Sequence, residues 1–65
     1  MRATSKTVAD LWPGDVVFIS DRWLRVARVE SDDYHDVARI VFSTPDGLDE
    51  YTWSFFWATS MLVPE

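Results

Sequence analysis

Turn residues divide this chain into four short runs rich in β-branched and aromatic residues, and in the last two runs apolar and polar side chains alternate. Alternation with a period of two is typical of strands that bury one face, and the Pro, Gly and Asp residues between the runs favour tight turns. The runs span residues 15–20, 23–29, 37–43 and 48–55. Asp21-Arg22 separates the first two, and Thr44-Pro45-Asp46-Gly47 lies between the last two. The sequence therefore predicts an all-β chain that contains two hairpins.

We place the tip of the first hairpin at Asp21-Arg22. One face then collects apolar side chains, and we expect it to be buried; it consists of Val17, Ile19, Leu24 and Val26. The other face consists of Phe18, Trp23, Arg25 and Ala27. In this register Phe18 lies opposite Arg25, which predicts a cation–π contact on the outside of the sheet. It also predicts an ion pair between Asp15 and Arg28.

For the second hairpin we set Ser43 opposite Leu48. The inner face of this hairpin then consists of Ala38, Ile40, Phe42, Tyr51 and Trp53. The outer face consists of Arg39, Val41, Glu50 and Thr52. Because the first group is apolar or aromatic throughout, we expect it to belong to the core. On the outer face we expect a weak surface ion pair between Arg39 and Glu50.

The remaining segments complete a small sheet. Residues 55–60 have room for one short helical or 3-10 turn, and residues 61–63 form a brief last strand that stops at Pro64. An antiparallel meander of four to five strands protects its edges by curling, so we predict a small SH3-like barrel, with an open sheet on a short helix as the alternative. We assign residues 1–7 to a flexible N-terminal lead and residues 8–65 to a single domain, since 65 residues cannot divide a core.

A resemblance supports this fold. Leu11-Trp12-Pro13-Gly14-Asp15-Val16, followed by a hairpin into Trp23-Leu24-Arg25-Val26, resembles the small L-x-P-G-D-V β proteins of actinobacteria and their phages. It is more distantly similar to SH3-like and KOW-type barrels, in which a Gly-Asp pair also opens the first strand. The first resemblance implies an accessory protein that acts on a host component. KOW modules imply contacts with RNA, but they carry a basic loop and a Gly-rich second turn where this chain has Asp21-Arg22.

Few side chains of this sequence suit catalysis or metal binding. Cys is absent, and the single His, His35, lies in a polar stretch with Asp32, Asp33 and Asp36. The spacing of this cluster matches neither a calcium-binding loop nor a helical zinc pair, so we interpret it as a solvated loop. The sequence also offers no nucleophile with a base and no converging pair of carboxylates. We therefore expect no enzymatic activity, no metal and no cofactor.

The chain has more aromatic side chains than a core of this size can bury, with four Trp, four Phe and two Tyr in 65 residues. Exposed aromatic side chains beside Arg have the composition of interaction hot spots. We therefore predict a partner-binding surface made of Phe18, Arg22, Trp23 and Arg25, with a second patch at Phe56 and Trp57. The alternative is that these side chains cover the ends and the outside of the barrel.

The net charge of −5 bears on the choice of partner. An acidic balance repels phosphate backbones and anionic lipids, which disfavours nucleic acid and membranes. Our first hypothesis is a non-enzymatic protein-binding module in the cytoplasm, whose partner is a host protein or a second copy of the chain. The second is a barrel that binds single-stranded nucleic acid by stacking bases on Trp23 and Phe18. The third is a structural subunit of a homo-oligomer.

Overall fold

The computed structural model describes residues 3–65, which form six strands and one 3-10 helix. The strands are β1 (Ala3–Thr7), β2 (Val16–Ile19), β3 (Arg22–Asp32), β4 (Val37–Ser43), β5 (Glu50–Phe55) and β6 (Ser60–Pro64), and the 3-10 helix is Val8–Asp10. All pairs are antiparallel, in one sheet with the order β1-β6-β2-β3-β4-β5. The all-β prediction is thus confirmed. Within residues 3–65, no helix is long and apolar enough to cross a membrane.

One core lies on the inner face of the sheet. Its fully buried side chains come from β2, β3, β4 and the 3-10 helix, and the largest are Phe42, Leu24, Ile40, Val8, Val17 and Val26. Half-buried Tyr51, Trp53 and Phe55 extend this core along β5. Segments from both ends of the chain contribute to this single interior. The sheet thus curls around one core, as in the predicted small SH3-like barrel.

The first hairpin keeps the predicted faces, but its register is shifted by two residues. Its tip is Ser20-Asp21, and Val17 lies opposite Leu24 rather than Val26. Both tip residues have positive φ, 54° and 63°. This is the geometry of a type I′ turn, which short polar side chains tolerate better than bulky ones. A shift by two leaves each side chain on its face, so Val17 and Leu24 are buried as predicted.

The second hairpin shows the same kind of shift. Ser43 lies opposite Glu50 rather than Leu48, because the loop is longer than the predicted turn. The Thr44 N–H closes this loop by donating to the Asp49 carbonyl at 3.0 Å. The inner face is again the predicted one, since its residues either lie in the core or pack against it.

Two ion pairs differ from the predicted ones. Arg39 binds Asp32 on β3, with 3.1 Å between Nη2 and Oδ2. The predicted pair of Arg39 with Glu50 is wrong, because the shifted register places Glu50 opposite Ser43. Asp15 binds Lys6, with 2.9 Å between Oδ2 and Nζ, instead of Arg28. Sequence pattern alone does not predict this pair, because Lys6 lies on β1, a strand that was not predicted.

A β-bulge at Ala27 interrupts the pairing of β3 with β4. Val26 lies opposite Phe42 and Arg28 opposite Val41, which leaves Ala27 as the extra residue. Bulges bend a strand and increase its local twist. The bulge also places Arg28 on the same outer face as Arg25, whereas strict alternation would have put these two side chains on opposite faces.

The predicted flexible lead is in part a strand. Residues 1 and 2 lie outside the described residues, whereas Ala3–Thr7 form β1 and pair with β6 over their whole length. The pattern of the sequence does not show this strand, because β1 is polar and its partner comes from the far end of the chain.

The short segment before β6 is a turn, closed by a hydrogen bond from the Thr59 N–H to the Phe56 carbonyl at 3.0 Å. The 3-10 helix lies elsewhere, between β1 and β2. It packs against this turn, because the Val8 N–H donates to the Thr59 carbonyl at 2.8 Å.

Candidate binding surface

Three apolar side chains form a row on the outer face of the sheet. Phe18 of β2 lies opposite Trp23 of β3 on one side and Leu62 of β6 on the other. The Phe18 and Trp23 rings have centroids 5.2 Å apart and planes inclined at 54°. Phe18 is 38% exposed, Leu62 is 47% exposed and Trp23 is half-buried. The row therefore presents an apolar surface to solvent.

Arg25 places a positive charge at the border of this row. It follows Trp23 by two residues on the same face of β3, and its side chain is exposed. We call Phe18, Trp23, Arg25 and Leu62 the outer patch. The predicted contact between Arg25 and Phe18 is wrong, because the observed register puts Trp23 opposite Phe18.

The charge of Arg25 is available to a partner, whereas the other described cations are engaged within the chain. Three of them form ion pairs: Lys6 with Asp15, Arg28 with Glu30, and Arg39 with Asp32. The Arg22 guanidinium lies over the Tyr51 ring. Among residues 3–65, Arg25 forms neither an ion pair nor a cation–π contact.

Arg22 lies away from the outer patch, contrary to the prediction. It opposes Ile19 at the start of β3 and so falls on the inner face of the hairpin. Its guanidinium carbon is 4.5 Å from the Tyr51 ring centroid, and Tyr51 stacks on Trp53 with 5.8 Å between centroids and 9° between planes. Arg22 thus contacts the Tyr51 ring of β5, away from the outer patch.

The second predicted patch is divided by the turn before β6. Phe56 is 73% exposed, whereas Trp57 packs against the core. The Trp57 carbonyl also accepts a hydrogen bond from the Ala9 N–H at 3.1 Å, which ties this residue to the 3-10 helix. Of the two, only Phe56 presents most of its ring to solvent, and it does not belong to the outer patch.

His35 and Asp32 form a hydrogen-bonded pair next to Arg39. Asp32 Oδ2 lies 2.9 Å from His35 Nδ1, and Asp32 Oδ1 accepts from the His35 backbone N–H at 3.2 Å. The two bonds from His35, aided by the charge of Arg39, lower the pKa of Asp32. Within residues 3–65 no group of three potential ligands is arranged to hold a metal ion, and these residues enclose no pocket.

Leu62 is the residue of the outer patch that sequence analysis did not single out. Its neighbours Met61 and Val63 are buried, so alternation along β6 turns Leu62 outward. The pattern of these three residues is therefore enough to predict that Leu62 faces outward. The sequence does not show that Leu62 lies beside Phe18, because the two residues are far apart along the chain.

Comparison with known proteins bears on the fold. No protein-family model matches this chain, and neither does any curated protein. The solved structure of a translation initiation factor eif-5a family protein from Naegleria fowleri is similar, with a TM-score of 0.79 and 19% sequence identity. The similarity covers 100% of this chain and 49% of that one, so this chain spans about half its length. At this level of identity the likeness establishes the fold, in agreement with the SH3-like barrel.

Proposed function

We propose that this chain is a non-enzymatic protein-binding module whose docking surface is the outer patch. The observation that carries this proposal is the row of Leu62, Phe18 and Trp23 on the outer face, beside the available charge of Arg25. Contiguous apolar side chains on a folded surface mark interaction sites. Trp and Arg in particular are enriched among the residues that contribute most to binding.

The outer patch indicates the chemistry of its partner. Apolar side chains of the partner would cover Phe18 and Leu62, while a carboxylate would meet Arg25. At longer range the net charge of −5 favours a partner with a positive overall charge. Together with the resemblance to small actinobacterial and phage proteins, this leads us to infer a host protein in the cytoplasm as the partner.

The likeness to a translation initiation factor family protein favours a second candidate, a barrel that binds single-stranded nucleic acid. Bases would then stack on Trp23 and Phe18, and Arg25 would contact a phosphate. The charges favour the first candidate, because three of the described cations are already bound by carboxylates. Salt distinguishes the two, since phosphate binding weakens steeply with ionic strength and an apolar interface does not.

A pull-down with the immobilised chain tests this proposal. Wild type, Trp23→Ala and Tyr34→Ala are each exposed to an actinobacterial lysate with and without nuclease, and the eluates are analysed by mass spectrometry and nucleic-acid staining. Tyr34 is the matched control, because it is 91% exposed and lies beyond the far end of β3. We expect a nuclease-insensitive protein that binds wild type and Tyr34→Ala. Trp23→Ala should bind it with about 30-fold lower affinity, roughly 2 kcal/mol.

Thermal unfolding followed by circular dichroism shows whether the variants fold. Trp23→Ala should remain folded, because Trp23 lies on the outer face. Trp53→Ala should lower the free energy of unfolding by about 3 kcal/mol, since Trp53 packs on the core residue Phe42 with 5.5 Å between ring centroids. Undiminished binding by a folded Trp23→Ala variant would contradict the outer patch. If nuclease treatment abolishes the binding seen in the pull-down, the second candidate function, binding of single-stranded nucleic acid, is favoured.

A further inference from the structure

The two edges of the sheet differ in how they are protected. One edge is β1, a short polar strand that carries Lys6. The other edge is β5, whose sequence Glu-Tyr-Thr-Trp-Ser-Phe contains no Pro and no Lys and which pairs with β4 without a bulge. Charges, Pro and bulges are the usual features that keep an edge strand from pairing with another chain. Apart from Glu50 at its first residue, β5 has none of them.

The backbone of β5 has hydrogen-bonding groups that point away from β4. The Thr44 N–H donates to the Asp49 carbonyl in the same register as the β4/β5 ladder, while the Asp49 N–H donates to the Thr44 hydroxyl Oγ1. Hydrogen-bonded and non-hydrogen-bonded pairs alternate along an antiparallel ladder, so residues 51, 53 and 55 bond to β4. The N–H and C=O groups of Glu50, Thr52 and Ser54 therefore face the open edge.

We propose that β5 is a dimerisation strand, which pairs antiparallel with β5 of a second copy about a two-fold axis at Thr52. In this register Thr52 lies opposite Thr52 of the second copy, and Glu50 lies opposite Ser54 of the second copy. All the outward backbone groups of the strand then form hydrogen bonds across the axis. The two six-stranded sheets join into one continuous sheet.

The side chains on the inner face of β5 are complementary across this axis. Tyr51 lies opposite Trp53 of the second copy, and Trp53 opposite Tyr51 of the second copy. Both rings are half-buried in the single chain, so pairing would cover the surface that remains exposed. Aromatic pairs directly opposite each other are among the cross-strand contacts that stabilise a sheet.

The charges on the outer face are complementary as well. Within one chain Ser54 lies opposite Arg39 of β4, and in the dimer it would have Glu50 of the second copy on its other side. Adjacent strands are about 4.8 Å apart, so Arg39 and that Glu50 are about 10 Å apart at their Cα atoms, with only a small side chain between them. Arg39 keeps its bond to Asp32 on β3, and the long Glu50 side chain of the second copy would approach the same guanidinium across this gap. The two-fold axis makes the contact twice, and no like charges oppose each other.

This interface is separate from the outer patch. The outer patch lies on β6, β2 and β3, whereas the dimer would form through β5, which pairs with β4. Dimerisation therefore leaves the outer patch exposed and presents it twice, which would raise the avidity for a partner with repeated sites. If the dimer fails its test, the proposed function still stands, because that function is tested at Trp23.

Charge substitutions at Thr52 test the proposal on the full chain. Thr52 is exposed. Because it would lie on the two-fold axis, a charge introduced at this position would lie opposite the same charge of the second copy. Sedimentation equilibrium from micromolar to millimolar concentrations should show wild type at twice the 7.6 kDa of one chain. Thr52→Lys and Thr52→Glu should each raise the dimer dissociation constant at least about fivefold, since like charges opposite each other repel. Thr52→Val is the matched control and should dimerise like wild type.

Mixing the two charged variants gives the decisive result. An equimolar mixture of Thr52→Lys and Thr52→Glu should recover the dimer as a heterodimer, detected by native mass spectrometry, because opposite charges now meet on the axis. Circular dichroism should show all variants folded. Wild type that stays monomeric would overturn the proposal, and so would a mixture that recovers no heterodimer. Loss of the dimer in Trp23→Ala but not in Thr52→Lys would place self-association at the outer patch instead.

Discussion

Asp15 connects three parts of the chain. Its carboxylate Oδ2 accepts the Trp12 N–H at 2.8 Å and binds Lys6 of β1, while its carbonyl accepts the Val26 N–H at 2.7 Å. Partial burial alone would raise the pKa of this carboxyl, but the bonds from Trp12 and Lys6 outweigh burial and lower it. Asp15 thereby ties the turn before β2 to an edge strand and to β3.

Replacing this carboxylate should weaken the fold in a pH-dependent way. A group whose pKa is lower in the folded chain stabilises it above the pKa of the unfolded chain, about 4, and this contribution is lost as the pH falls through the folded value. We expect Asp15→Asn to lower the free energy of unfolding by about 1 kcal/mol at pH 7, and we expect this difference from wild type to shrink as the pH falls below about 4.

Urea unfolding at both pH values measures this effect. Asp36→Asn is the control, because Asp36 is exposed and its φ of 54° suits Asn. A difference between Asp15→Asn and wild type that persists in acid would mean that the carboxylate charge is not what stabilises the turn.

At the level of elements, the turns determine the register of each hairpin, which the alternation of apolar and polar residues alone does not. The period of two assigned Val17, Leu24, Phe42 and Trp53 to the correct faces, because burial selects one face of each strand. It could not choose between registers that differ by two residues, since both bury the same side chains. Both hairpin registers were therefore wrong by two, although the faces of both were right.

The same limit explains which parts of the candidate surface could be predicted. Phe18, Trp23 and Arg25 share the predicted outer face because each depends only on alternation within one hairpin. Arg22 was misplaced because its surroundings depend on the position of the tip. Leu62 joins the outer patch through pairing of β6 with β2, a contact between distant segments that local pattern does not encode.

The first hairpin turn can be improved by residues that prefer its backbone conformation. Ser20 and Asp21 both have positive φ, for which Asn-Gly is the favoured pair. The double variant Ser20→Asn/Asp21→Gly should raise the free energy of unfolding by about 1 kcal/mol, because it relieves the cost of left-handed conformations.

Thermal and urea unfolding report this gain. Asp21→Val is the opposite control, since a β-branched residue is strained at positive φ, and it should lower the stability. If the Asn-Gly variant were less stable than wild type, the tip would not be a type I′ turn at Ser20-Asp21.

At the scale of the whole molecule, the sheet is completed by its last strand. β6 lies between β1 and β2 and adds Met61 and Val63 to the core, whereas β1 is an edge strand that pairs with β6 alone among the strands of residues 3–65. Two short strands at opposite ends of the sequence thus have unequal importance for the fold.

Two truncations of comparable length should therefore behave differently. Removal of residues 60–65 should abolish the fold, because β1 loses its partner and the core loses two buried side chains. Removal of residues 1–7 should leave a folded but less stable chain, because only an edge is lost. The dispersion of amide signals in NMR spectra distinguishes these outcomes. A folded chain that ends at residue 59 would contradict the central position of β6.

The position of β6 also sets when the protein can fold during its synthesis. Among the strands of residues 3–65, β1 leaves the ribosome before the others, yet β6, with which it pairs, follows all of them in the sequence. The meander from β2 to β5 can form while the nascent chain grows, but its interior stays open on the side that β6 covers. Folding is therefore completed only after Pro64 has left the exit tunnel, and until then the nascent chain exposes apolar surface that chaperones recognise.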